Sequence, residues 1–275
     1  MPRITLLTDF GTRDGYVGAM KGVMASLYPG VVIDDVSHEV EQGDVDQGAW
    51  TLRRYWRRYP PRTVHVVVVD PGVGTERRGV CLEVDRRYIV APDNGLVSHV
   101  VREAEVWRAV ELSDRRYLPD RPSRTFHGRD LFAPAGAHLA QGLHPSRLGP
   151  AVEELVLLEE PEPITLDGGV EGEVVTVDRF GNLVTNLPAA VLEGGSPEGE
   201  GGEHPPVRVE VGEGRRVPVA PTYGAVEPGT PLALQNSDGR LEIAVRDGSA
   251  RKWAGRGRGA RVRVWWNEGH SQARK

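Results

Sequence analysis

The chain has 275 residues, 39% hydrophobic and 27% charged, with a formal net charge of −5. That length predicts about two domains, since one domain usually holds roughly 100–200 residues. The net negative charge gives no electrostatic basis for nucleic-acid binding, and no apolar stretch approaches the ~20 residues that span a bilayer.

Cys81 is the single cysteine, which excludes an internal disulfide, and its apolar neighbours predict a buried thiol. An unstapled chain, whose first apolar run is too short for a secretory signal before Asp9 breaks it, predicts a cytoplasmic setting. Lysine stands only at Lys21, Lys252 and Lys275, so arginine supplies the rest of the 34 basic residues.

In chain order, Ile4-Thr5-Leu6-Leu7 reads as a strand running into Thr8-Asp9-Phe10-Gly11 and Asp14. Residues 16–27 carry apolar side chains at helical spacing, stopped by Pro29-Gly30. A strand at 31–36 and a helix at 44–59, closed by Pro60-Pro61, lead to a strand at 64–69 that ends on Asp70. Unbroken apolar or β-branched runs of this kind belong to strands buried on both faces, so the βαβαβ order predicts an α/β domain with a largely parallel sheet. Strands at 80–84 and 88–90 bracket a turn at Asp85-Arg86-Arg87, and a helix is expected at 130–141 before Gly142.

From residue 155 the texture changes. Glu159-Glu160-Pro161-Glu162-Pro163 reads as a linker, followed by short strands at 172–177, 183–186, 207–211, 217–220, 231–235, 241–245 and 262–266. The predicted domains are an α/β unit at 1–160 and an all-β, barrel-like unit at 161–266. The glycine-rich excursion at 194–202 and the polar tail at 267–275 are expected to be disordered.

Several familiar patterns fail. Gly72-Val73-Gly74 has Arg77 where the third glycine of a dinucleotide fingerprint belongs, and Val80-Cys81 replaces the Lys and Ser/Thr of a phosphate loop. His38-Glu39 has Gln42 at the second histidine position of a zinc-protease helix, and no Cys/His spacing suits a metal. No metal and no cofactor are expected. Gly255-Arg256-Gly257-Arg258-Gly259 is one short arginine-glycine copy and reads as a loop.

Four polar, glycine-containing segments each follow a short apolar run, and in open α/β sheets ligands bind beyond the carboxyl ends of the strands. The first three admit a plain reading: Asp14 as a helix cap, Asp70 as a turn former, His127 as a loop histidine. Together, Thr8-Asp9-Phe10-Gly11-Thr12-Arg13-Asp14, Val69-Asp70-Pro71-Gly72-Val73-Gly74-Thr75 with Arg77, Ala91-Pro92-Asp93-Asn94-Gly95-Leu96, Phe126-His127-Gly128-Arg129-Asp130, Asp178-Arg179-Phe180-Gly181-Asn182-Leu183-Val184-Thr185-Asn186 and Asn236-Ser237 resemble the S-adenosylmethionine hydroxide adenosyltransferases. These hydrolyse S-adenosyl-L-methionine to adenosine and L-methionine and are relatives of the fluorinase and chlorinase enzymes.

The resemblance implies an α/β domain joined to a β-barrel, assembled as a homotrimer with each site between one subunit's first domain and a neighbour's second. It places Asp70, Arg77 and His127 around an attacking water; a physical division of labour then has Arg77 stabilise negative charge on the nucleophile while His127, oriented or polarised by Asp70, takes up the proton directly or by relay. Asp9 would accept the ribose hydroxyls and Asp14 would meet the methionine end. Asp178 would meet the methionine amino group, Phe180 and Asn182 the adenine, with Tyr223 as aromatic packing and Ser237 near the methionine carboxylate.

The chain also departs from the halogenating relatives. They carry Tyr-Pro at Asp70-Pro71 and Tyr-Ser at His127-Gly128, and the fluorinase has an inserted loop that is absent between Arg77 and Tyr88. A carboxylate at position 70 repels halide and polarises water. A fluorinase aromatic wall falls near Gly43, and an arginine that meets the methionine carboxylate aligns with Asp238. The spacing of seven from Asp70 favours Arg77 over Arg78 as the site arginine. The alternatives are a halogenase of the same fold and a non-catalytic sensor of the adenosyl nucleoside.

Overall fold

The computed structural model describes residues 2–119, 122–193 and 207–266, in two compact units, Met1–Glu159 and Glu160–Lys275. The excursion expected at 194–202 and the tail at 267–275 lie outside the described residues.

The first unit contains strands β1 (Arg3–Thr8), β2 (Val32–Ser37), β3 (Val64–Val68), β4 (Gly79–Val84), β5 (Arg87–Pro92), β6 (Trp107–Glu111) and β7 (Ala151–Val152). Its helices are α1 (Tyr16–Leu27), α2 (Val45–Tyr55), α3 (Ser98–Glu103) and α4 (Ala133–Ala140). Alternate residues of β1 and β3 feed two cores. Ile4, Leu6, Val64, Val66 and Val68 pack with Met20 and Met24 of α1 and with α4, while Leu7 and Val67 pack with Leu52 of α2 and Val100 of α3. These strands are therefore sandwiched between helices, which is why their sequences are mostly apolar, with Thr5, Thr8 and His65 as buried polar exceptions.

The sheet order is β2-β1-β3-β5-β4-β6-β7. The pairings β2–β1, β1–β3 and β3–β5 are parallel, whereas β5–β4, β4–β6 and β6–β7 are antiparallel. The sheet is thus mixed rather than largely parallel. The physical reason lies at Asp85 and Arg86, which take φ of 42° and 65° between Val84 and its partner Arg87. Two consecutive left-handed residues make a tight hairpin, and a tight hairpin joins only antiparallel strands.

The second unit carries β8 (Ile164–Leu166), β9 (Gly169–Val177), β10 (Leu183–Pro188), β11 (Arg208–Val211), β12 (Arg215–Val217), β13 (Pro231–Gln235), β14 (Arg240–Val245), α5 (Ala250–Ala254) and β15 (Arg261–Trp265). Its strands pair antiparallel in the order β12-β11-β15-β9-β10-β14-β13, with β8 on β9. Just past β12 the chain meets the far end of this sheet: the Ala233 N–H donates to the Pro218 carbonyl at 2.8 Å and the Ala220 N–H to the Ala233 carbonyl at 3.0 Å. That short bridge nearly closes the sheet into a barrel around Val170, Leu183, Leu187, Val209, Ile243 and Val262. Among the described residues no helix is long and apolar enough to cross a membrane.

Candidate active site

The strand order reverses about β1, with β2 on one side and β3 on the other, and such a switch point opens a crevice at the carboxyl ends of the strands. Thr8 pairs with Val68, so Asp9 and Asp70 leave the sheet at the same edge. Asp9 Oδ2 accepts the Gly43 N–H at 2.8 Å. Burial raises the Asp9 pKa, against the Gly43 hydrogen bond and with help from the nearby Asp70 charge. Gly43 takes φ 72°, a conformation glycine adopts without cost, and so aims its N–H at this carboxylate. Asp14 is exposed in the following loop. Helix α1 is capped by Gly15 without a side-chain bond, so Asp14 is not its cap.

The loop after β3 folds back on its first residue. Thr75 Oγ1 donates to the Gly72 carbonyl at 2.7 Å, and Gly74, at φ 82°, lies where a Cβ would stand 2.5 Å from the Arg124 carbonyl oxygen. The reversal returns Arg77 to Asp70: Nε donates to Oδ1 at 2.9 Å and Oδ2 at 3.1 Å, and Nη2 also bonds Oδ2. The pair is buried, with side-chain exposures of 9% for Arg77 and 4% for Asp70. Arg78 points elsewhere, to Asp93 and the Glu154 carbonyl.

Arg77 Nη2 also reaches His127 Nδ1 at 2.6 Å. A guanidinium only donates, so Nδ1 is the accepting nitrogen and the neutral ring carries its proton on Nε2. Burial first, then the Arg77 charge, push the His127 pKa below its ordinary value, against Asp70 and Asp130. The expected orientation of His127 by Asp70 is indirect, because Arg77 stands between them.

His127 precedes a π-helical turn, Gly128–Phe132, in which the Ala133 N–H bonds the Gly128 carbonyl. A Cβ on Gly128 would meet Phe10 at 3.0 Å and Met20 and Phe126 at 3.2 Å. Glycine there lets Phe10, Tyr16 and Phe126 close edge to face, with centroids 5.1–6.1 Å apart. Two cavities, of about 390 and 820 Å³, share Phe10, Tyr16 and Asp70 in their walls; His127 lines the smaller, Asp9 and Asp14 the larger.

In the second unit, Asp178 organises the β9–β10 turn. Its Oδ1 accepts the N–H groups of Phe180 and Asn182, both at 2.9 Å, and its Oδ2 accepts Asn182 Nδ2 at 3.0 Å. This turn buries Asn182 and leaves Phe180 74% exposed. Tyr223 donates its hydroxyl to the buried Glu242 at 2.7 Å, and burial first, then that carboxylate, raise its pKa. Ser237 is exposed in the β13–β14 turn. The geometry thus gathers Asp9, Asp14, Asp70, Arg77 and His127 about one sheet edge, and Asp178 with Asn182 about one turn.

Residues 4–149 match the SAM hydroxide adenosyltransferase N-terminal domain, and residues 172–263 match its C-terminal domain. The chain belongs to this adenosyltransferase family. An (R)-S-adenosyl-L-methionine hydrolase of Thermus thermophilus is 42% identical over 273 residues, spanning 96% of this chain and 100% of the relative. A fluorinase of an Actinoplanes species is 35% identical, over 70% of this chain and 74% of its own. The crystal structure of an uncharacterized conserved protein from Thermotoga maritima superposes with a TM-score of 0.86 at 37% identity, covering 95% of this chain and 99% of that one.

Sequence reasoning did not single out several residues that the structure of this adenosyltransferase family member sets beside the expected ones within each unit. Tyr16 and Phe126 form the aromatic wall, Glu242 anchors Tyr223, and His38 lines the larger cavity. His38 carried a usable signal: it stands one residue beyond β2, at the same carboxyl edge as Asp9.

Proposed function

We propose that this chain hydrolyses S-adenosyl-L-methionine by displacement at the ribose C5′, with Asp70, Arg77 and His127 serving the attacking water. The observation that carries the reading is the Arg77 guanidinium shared between the buried Asp70 carboxylate and His127 Nδ1. The products are adenosine and L-methionine. The C5′–S electron pair leaves on sulfur, giving a neutral thioether, so the leaving group needs no acid. The water oxygen bonds C5′ and its proton goes to His127 Nδ1, the basic nitrogen of the ring, which gives up the Arg77 hydrogen bond to take it.

A base of lowered pKa suffices for this step. As the C–O bond forms, the water becomes an oxonium and its proton turns strongly acidic, so transfer can follow attack rather than precede it. Burial and the Arg77 charge favour the neutral imidazole, the form able to accept that proton. Arg77 meanwhile holds the Asp70 carboxylate in place beside the water, and the aromatic wall limits competing water. Asp9 accepts the ribose 2′ and 3′ hydroxyls, whose donation favours its ionised form, and Asp14 faces the methionine end.

Phe180 offers an exposed aromatic face for adenine, Asn182 a hydrogen bond to it, and Asp178 a carboxylate for the methionine ammonium. Tyr223 and Ser237 complete that half. These second-unit residues serve a neighbouring subunit's site in a homotrimer. The enzyme needs no cofactor or metal, works in the cytoplasm, and takes the (R) sulfonium epimer for which its relatives are named. The Asp70 carboxylate disfavours halide as nucleophile.

Incubation with separated (R) and (S) epimers in water enriched in heavy oxygen, followed by mass detection, tests the reading. Adenosine labelled at its 5′ oxygen, unlabelled methionine and preference for the (R) epimer are expected. Intact substrate, or unlabelled adenosine, would refute displacement by water.

A further inference from the structure

The loop that carries Asp9 is held in place by residues outside the reacting set. Thr8 is fully buried at the end of β1, and its hydroxyl accepts the Phe10 N–H at 3.2 Å. The same Oγ1 lies 2.9 Å from His38 Nδ1, on a histidine only 6% exposed. His38 Nε2 lies 3.0 Å from Asp35 Oδ1, and Lys21 Nζ donates to the other oxygen of that carboxylate at 2.5 Å. An ionised carboxylate only accepts, so Nε2 carries the ring proton and Nδ1 accepts from the Thr8 hydroxyl. Both ring nitrogens are thereby engaged within the protein. The directed order, Phe10 N–H to Thr8 to His38 and His38 to Asp35, lets neighbouring bonds polarise one another.

The backbone repeats the pattern. The His38 carbonyl accepts the Gly11 N–H at 2.8 Å, and five residues on, the Gly43 N–H bonds Asp9 Oδ2 at 2.8 Å. The loops after β1 and β2 are thus clasped on either side of Asp9, with the His38 side chain fixing the residue immediately before it.

We propose that His38 is a positioning residue for ribose recognition, acting through Thr8 to hold residues 8–11 so that the Asp9 carboxylate faces the sugar hydroxyls. The inference rests on the reading of Asp9 as the ribose acceptor. Loss of His38 therefore costs recognition of the ribose hydroxyls and leaves turnover of a sugar lacking both of them nearly unchanged.

The test is steady-state kinetics of the full chain on S-adenosylmethionine and on its 2′,3′-dideoxyadenosyl analogue, which offers Asp9 no hydroxyl. In His38→Asn the amide occupies the Nδ1 position and keeps the Thr8 bond; in His38→Gln it reaches the Nε2 position and keeps Asp35 instead. His38→Gln is expected to lose about tenfold in kcat/KM on the ribose substrate and less than twofold on the dideoxy analogue, a difference measured within one variant. His38→Asn should match the wild type on both. Thr8→Val, which deletes the same bond from the other side at constant volume, should reproduce the glutamine result, and the combined variant should be no worse than either. Equal losses on both substrates, or no loss on either, would overturn the inference while Asp9→Asn still erased the ribose preference. An Asp9→Asn variant that kept that preference would instead overturn the ribose reading, and this inference with it.

Discussion

Replacing Arg77 with methionine removes one half of a buried ion pair and keeps the apolar stem over the Phe132 ring, which lies 5.3 Å from the guanidinium carbon. Asp70 retains only 4% side-chain exposure, so its carboxylate would be left almost without water or counter-charge. Breaking a buried pair in this way costs about 3–5 kcal/mol, because the surviving charge is uncompensated. For a unit of this size roughly 2–4 °C accompany each kcal/mol, so the first unit's transition should fall by about 6–20 °C. Adding Asp70→Asn removes the stranded charge, and swapping a buried pair for neutral groups is often near neutral, so the double variant should recover to within about 1–2 kcal/mol of the wild type. Differential scanning calorimetry reads the stability, and chromatographic release of adenosine reads activity, which should drop at least about 100-fold in both variants. A single variant that loses less than about 1 kcal/mol, or a double variant no better than the single, would refute the argument that this pair is desolvated.

The lowered His127 pKa predicts that kcat/KM is level around neutrality and falls on acidification only below the ordinary histidine value of about 6.5; removing the Arg77 charge by Arg77→Gln should shift that limb to higher pH, and an unmoved limb would exclude His127 as its source. His65, fully buried, has a pKa lowered to about 3, chiefly by burial, so its stabilising neutral form is retained above pH 6.5 and lost at about 1.4 kcal/mol per unit as pH falls from there toward 3. Urea unfolding of wild type and His65→Leu between pH 7 and 4 should show a shallower slope in the variant. Gly74→Ala puts a Cβ 2.5 Å from the Arg124 carbonyl oxygen at φ 82°, so it should destabilise by more than about 1 kcal/mol and depress kcat by drawing Arg77 off Asp70. Crystallography of the variant would show whether the 70–78 loop moved.

Legibility in the sequence followed locality. The runs ending at Thr8 and Val68 announced buried strands, and the polar residues beyond them fell at one sheet edge because parallel neighbours end together. Helix α1 and most strands of the second unit were readable from periodicity and turn residues. The antiparallel half of the first sheet was harder: β7 has two residues, and Trp107–Glu111 is a strand only because β4 and β7 flank it. Barrel closure rests on two hydrogen bonds between Ala233 and residues 218 and 220, a pairing that no local pattern encodes. At the site, the family resemblance gave Asp70, Arg77 and His127, but which of them sits between the others is a matter of distance. The same holds for His38, whose partners Thr8 and Asp35 come from two different strands.

The wide turn after His127 makes the spacing of this segment an inherited property in its own right. A π turn accommodates one more residue than an α turn between bonded groups. Deleting a single residue within 128–132 would let the segment rewind as ordinary helix, in which each residue advances by about 100°. His127 would swing through roughly that angle, away from Arg77 Nη2, although every side chain of the site was still encoded. Drift in sequence length at this one place would therefore silence the enzyme as surely as loss of the histidine, and lineages that keep the chemistry must keep the count.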